Sequence, residues 1–294
     1  MANFLHMLWY DDVAVVRFLD IMLKRKRQLL KESNRVGKPS VGRAIKFTLG
    51  DTYHNAGKVI LSNLFWTATF IPCLLVGLEI RKNFSPLLLL LLTGCFLLTS
   101  PALAGIFVIS RKIAIKEHEI EMRDFFTGIK DHWKKSLILS LICVIIPLVA
   151  GSSLMFYGQL ARTSSLIVIL WIINVWILIF FFLAQVYFFP LMIGQKMGIR
   201  QILRTSLLLA LNNVGFTFAI LLFEIAILLL CSITGVIFLA GVSAIALLQS
   251  NAFIEVAKKY TGEEIRKEVK RGEEGPKKTL KDVLRDTFFP WKYD

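Results

Sequence analysis

Among the residues of this sequence that could do chemistry, Glu224 stands first. It lies in the apolar run 214–248, which is too long for one membrane crossing and suits two, since a crossing helix needs roughly 20 residues. With a turn at Thr234-Gly235, Glu224 falls ten residues into the first of the two crossings, about 15 Å along the helix and near mid-bilayer. A charge at that depth costs at least ~2.5 kcal/mol. The acid must therefore be protonated, partnered inside a helix bundle, or in contact with water. Asn174, Gln185 and Asn251 are candidate polar partners in other expected crossings. Together with Glu224 they form the candidate substrate-binding set, because a carboxyl among amides can hold a proton, a cation or a small polar solute. Besides a lipid-facing position, two roles stay open for Glu224. It is either a tie from the fifth crossing to Asn174 or Gln185 of the fourth, or a proton or cation site in a polar cavity.

Other chemistry is not written in the chain. It carries no phosphate-binding GxxxxGK loop, no GxGxxG, no GxSxG nucleophile turn and no HExxH, and His118-Glu119 lacks a second histidine. His6, His54, His118 and His132 lie outside the apolar runs without metal-ligand spacing. Neither catalysis nor a cofactor or metal is expected. Cys73, Cys95, Cys143 and Cys231 fall inside apolar runs without CxxC spacing and read as small packing residues, with a Cys73 to Cys231 bridge as the alternative.

These side chains need a membrane framework. Hydrophobic residues make up 55% of the chain, mean hydropathy is +0.63, and 19% of residues are charged, which excludes a soluble domain. Six crossings are expected, at 59–80, 86–110, 136–157, 165–193, 214–233 and 235–256. Of the 35 Lys and Arg, 32 lie on the face that holds both ends of the chain, and only Arg81, Lys82 and Arg162 lie on the other. The positive-inside rule then places both termini in the cytoplasm of a cell-membrane protein. The net charge of +14 is read as topology facing anionic lipid, and nucleic acid is not an expected partner. Asp11, Asp12, Arg17 and Asp20 interrupt any signal-peptide core, so the first crossing is expected to target the chain.

The expected fold is all-α: a six-helix transmembrane bundle over 41–260 with cytoplasmic amphipathic helices. It is preceded by an amphipathic helix and linker over 1–40 and followed by a charged tail over 261–294. In the tail, Thr279-Leu280-Lys281-Asp282 resembles a capping box opening a short helix. Segments 41–58, 119–135 and 199–213 each lead into an outward crossing, a short loop and a return crossing. The returns carry Pro101-Ala102, Pro190-Leu191 and Asn251-Ala252 near their inner ends, so three hairpin repeats are a candidate arrangement. Pro101 is expected to kink the second crossing. The fourth, longer than the bilayer core, must tilt or kink.

Asn63-x-x-Trp66 with Pro72, Ser100-Pro101-Ala102, Asp124-Phe125-Phe126-x-Gly128-x-Lys130 and the sixth helix ending near Asn251 together resemble the YesL-like family of bacterial polytopic membrane proteins, over roughly 49–260. The resemblance implies a genomic neighbourhood of carbohydrate importers and glycan-degrading enzymes, and implies no reaction. Three functions follow as expectations. The first is an accessory or partner component of a membrane complex beside a carbohydrate importer. The second is a small-solute or ion transporter using Glu224, and the third is an intramembrane enzyme acting on lipid-linked substrates.

Overall fold

A computed structural model describes residues 38–117, 119–160, 165–195 and 197–261. The amphipathic segment before residue 32, the tail with its capping box, His118 and Arg162 lie outside the described residues. The first helix, α1 (Val41–His54), opens at Ser40, whose hydroxyl accepts from the Arg43 amide. It buries Ala44, Thr48 and Asp51 and leaves Lys46, Leu49 and Tyr53 exposed. Asn55 interrupts it, donating to the Asp51 carbonyl at 3.1 Å, and α2 (Ala56–Lys82) follows.

The return path is α3 (Pro86–Leu98) and α4 (Ser100–Ala114). Their interruption at Thr99 is the expected kink: Pro101 has no N–H to donate and its ring crowds the preceding turn. Next comes α5 (Arg123–Leu160), a single helix of 38 residues, about 57 Å long. This differs from the separate interfacial helix expected near 123–135. No glycine, proline or asparagine occurs between Asp131 and Ser136 to break it. Lys134 lies over the Trp133 ring, 5.4 Å from its centroid, where α5 is expected to enter the bilayer.

The long fourth segment divides into α6 (Ser165–Gln185) and α7 (Phe188–Gly194). The break at 186–187 lies where Pro190 withholds its hydrogen bond from the Val186 carbonyl. After α8 (Ile199–Asn212) and a break at Asn213, α9 (Val214–Thr234) ends on Gly235, which takes φ +71° as a left-handed stop. A 3-10 turn over Val236–Phe238 delays α10 (Gly241–Thr261) by six residues from its expected start at 235.

All described regular structure is helical. Five stretches are long and apolar enough to cross a membrane: Ala56–Lys82, Pro86–Ala114, Arg123–Leu160, Ser165–Gly194 and Val214–Thr234. The chain is therefore a helical membrane protein. The sixth expected crossing, α10, is too polar to join them on hydropathy, and its burial explains the polarity. Ser243, Gln249, Ser250, Asn251 and Glu255 are all buried against other helices, so they need not suit lipid.

The apolar core draws on Ile106 and Ile109 of α4, Phe125 and Leu139 of α5, Leu183 and Leu191 of α6 and α7, Ile202 of α8 and Leu247 of α10. Phe107 stacks on Phe189 at 4.8 Å between α4 and α7. Toward the hairpin tips the burial ends: Leu87, Leu90, Met155, Leu166, Leu230 and Ile233 are all exposed, as lipid-facing side chains are. All four cysteines are free, so the alternative of a Cys73 to Cys231 bridge is set aside. Cys73 is buried, while Cys231 lies against Gly241, where an added Cβ would come within 3.2 Å of it.

Candidate functional site

The site is organised by the antiparallel pairing of α9 and α10. Three contacts set its register. Cys231 meets Gly241, Glu224 meets Gln249, and Asn213 meets Tyr260. In each pair one residue number rises as the other falls by nearly the same amount, which is the mark of two helices running side by side in constant register. Asn213, Thr217, Ile220 and Glu224 then share one stripe of α9, at intervals of four, three and four residues. All four are buried.

Each polar member of that stripe has a defined partner. Asn213 donates to the Tyr260 hydroxyl at 3.0 Å and accepts from Lys259 Nζ at 2.6 Å. Burial raises the Tyr260 hydroxyl pKa above its usual value, and the Asn213 hydrogen bond opposes that shift. Thr217 bonds the Tyr187 hydroxyl at 2.8 Å, just before Pro190 in the broken return helix. Glu224 Oε2 accepts from Gln249 Nε2 at 3.1 Å. Its Oε1 and Gln249 Oε1 have no partner among the described residues.

The four residues singled out from the sequence go to different partners. Glu224 turns to Gln249, as above. Asn174 donates to the Ala150 carbonyl at 3.0 Å and ties α6 to α5. Gln185 is half-buried at the end of α6. Asn251 is fully buried and donates to Thr48 Oγ1 at 3.3 Å and Asp51 Oδ2 at 3.2 Å, both on α1. Two residues along a helix turn a side chain by roughly 200°, so Gln249 and Asn251 address opposite sides of α10. The partner that sequence reasoning missed is Gln249. Its signal was the register counted from the turn, once the 3-10 residues are allowed for.

A second polar cluster joins α2 to the turn before α10. Asn63 donates to the Ile237 carbonyl at 3.0 Å and the Phe238 carbonyl at 2.8 Å, and its Oδ1 accepts from the Ser243 amide at 3.0 Å. Thr67 also donates to Phe238 O at 2.8 Å, and the Ser62 and Ser243 hydroxyls lie 3.2 Å apart. A third contact closes α4 on α5. An added Cβ at Gly105 would come within 2.8 Å of the Phe125 carbonyl, and one at Gly128 within 2.8 Å of Val108. Lys112 pairs with Asp124 at 2.9 Å beside them.

These clusters give physical roles to Asn63, Gly128 and Asp124, three residues of the motifs singled out from the sequence. Residues 59–154 match the family described as Protein of unknown function, DUF624. It is the family usually called YesL-like. The DUF624 match covers about a third of the chain and holds Asn63, Trp66, Pro72, Pro101 and the 124–130 motif. Asn251 and the hairpin of α9 and α10 fall beyond it. No curated protein and no solved structure matches the chain.

Proposed function

We propose that this protein is a non-catalytic accessory component of a larger membrane complex, one concerned with carbohydrate uptake. The observation that carries the reading is where its intramembrane polar groups go. Asn63, Asn174, Thr217 and Asn251 each bond across a different helix pair and so serve as fastenings between helices. The carbohydrate setting comes from the likeness to YesL-like proteins.

The same reading has six crossings with both termini in the cytoplasm of the cell membrane. The register of α10 along α9 supports the sixth crossing, because a helix paired along its length with a spanning helix spans with it. Asn55 and Asn213, each closing an amphipathic helix, support a repeated hairpin unit. At nine, six and two residues before each Asn stand Lys46, Leu49 and Tyr53 in one case, and Arg204, Leu207 and Leu211 in the other, all exposed. A basic residue above two apolar ones suits the headgroup boundary, with anionic lipid as the counter-charge.

The test is affinity purification of the full chain in mild detergent with mass spectrometry. Importer permease subunits should co-purify, and removing residues 279–294 should release them. Recovery of the chain without any importer subunit would overturn the reading.

A second reading, a small-solute or ion transporter, is favoured by one observation: the partnerless Oε1 of Glu224, midway along α9. Glu224→Gln should then abolish proton-linked uptake into vesicles. Unchanged uptake would dismiss it.

A further inference from the structure

With the Glu255 carboxylate engaged by Arg43 at 3.1 Å, four buried side-chain atoms lack a hydrogen-bond partner among the described residues. Trp66 Nε1 and His132 Nδ1 are isolated cases on α2 and α5. The other two, Glu224 Oε1 and Gln249 Oε1, belong to side chains that already touch through Gln249 Nε2 and Glu224 Oε2. Both are acceptor atoms when the carboxyl is ionised. One proton on Glu224 Oε1 resolves both at once. The new hydroxyl donates to Gln249 Oε1 while the Gln249 amide still donates to Glu224 Oε2, which closes a ring of two hydrogen bonds and removes the charge. From this geometry we infer that Glu224 and Gln249 are a proton-binding site, an acid and amide pair that holds one proton between α9 and α10.

The neighbouring helices offer no counter-charge that would replace the proton. α6 has no ionisable residue, and neither has the 3-10 turn. On α8, Arg200 and Arg204 are exposed. On α1, Arg43 is engaged with Glu255, Asp51 accepts from Asn251, and Lys46, Tyr53 and His54 are exposed. On α10 itself, Lys258, Lys259 and Tyr260 lie more than two turns beyond Gln249. The hydroxyl of Tyr187 is taken by Thr217, seven residues before Glu224.

Nor does the packing itself call for an acid. Eleven residues after Asn55 the first hairpin buries Trp66, and eleven residues after Asn213 the third buries Glu224. On the repeated-hairpin reading, the same place takes an indole in one unit and a carboxyl in the other. A buried carboxyl with one open oxygen, bonded to an amide that also keeps an open oxygen, is a group that binds something.

This inference takes up the site used by the transport reading but requires binding only. In lipid nanodiscs, the infrared spectrum of the full-length protein at neutral pH should contain a protonated carboxylic acid band. The band should be absent in Glu224→Gln and displaced in Gln249→Leu. Glu224→Gln can form the same two-bond ring without a proton, so it should stay folded. Proton binding favours the packed state, so the wild-type unfolding midpoint should drop below that of Glu224→Gln as pH rises, and the gap should close again as pH falls. No carboxylic acid band at neutral pH that depends on Glu224, or midpoints that run parallel across the pH range, would overturn the inference. A proton-dependent band without solute uptake would uphold it and dismiss the transport reading.

Discussion

Replacing Asn63 with leucine is expected to destabilise the protein by about 2 to 4 kcal/mol, the largest loss from any single polar side chain in the apolar helices. That figure follows from what the side chain holds. Three hydrogen bonds link Asn63 to the turn before α10 and to the first turn of α10, two to the Ile237 and Phe238 carbonyls and one from the Ser243 amide. A buried backbone group left without its partner costs about 1 to 3 kcal/mol. Hydrogen bonds between membrane helices average nearer ~0.6 kcal/mol, which holds the total well below three times the upper figure. Leucine keeps asparagine's branched outline with somewhat larger volume, so no cavity opens. Thr67→Val is the internal comparison. It removes a second donor to Phe238 O, which Asn63 continues to bond, and should cost below about 1 kcal/mol. Unfolding midpoints in lipid nanodiscs would separate the two variants. Equal effects would mean that the Asn63 bonds do not hold the turn. Asn63→Asp should resemble the leucine variant, because a carboxylate keeps the Ser243 amide but turns an oxygen toward two carbonyls.

That sensitivity shows which parts of the architecture could be read ahead of the structure. The stop at Gly235, the kink before Pro101 and a fourth segment too long to stay straight all follow from local rules about glycine, proline and helix length. The mid-helix depth of Glu224 follows from counting along one helix. Its partner does not. Pairing across helices depends on rotation and register: the 3-10 turn sets the register that brings Gln249 of α10 to Glu224, while Asn174 of α6 turns to the Ala150 carbonyl of α5. The continuity of α5 was hidden for a related reason. Charged residues at 123–135 suggested a surface element, whereas a helix without a breaker simply continues into the apolar stretch. The polarity of α10 is the converse case: hydropathy measures suitability for lipid, and this helix faces protein along most of its length.

The clasp between α4 and α5 makes the second large prediction, and here the sign of the effect is diagnostic. Glycine in a helix is ordinarily a liability, and replacing it with alanine gains up to about 1 kcal/mol. At Gly77, Gly94 and Gly215, where nothing lies within 4 Å of an added Cβ, alanine should be neutral or stabilising. At Gly105 the added atom would lie 2.7 Å from the Phe125 ring and 2.8 Å from the Phe125 carbonyl. A backbone oxygen has no rotamer by which to move aside, so α4 and α5 must separate. The stack of Phe65 on Phe125 at 5.5 Å and the ion pair of Lys112 with Asp124 loosen with them. Gly105→Ala should therefore destabilise by about 1 to 3 kcal/mol despite its better helix propensity, and Gly105→Val by more. Gly128→Ala meets mainly the Val108 side chain, which can be trimmed. Val108→Ala should recover much of the loss at Gly128, whereas Phe125→Ala should recover less at Gly105, since it removes the ring atoms at 2.7 and 2.8 Å while the carbonyl at 2.8 Å remains. If Gly105→Ala matched Gly77→Ala in thermal midpoint, the close crossing that positions Asp124, Phe125 and Gly128 would not be the contact holding these helices together.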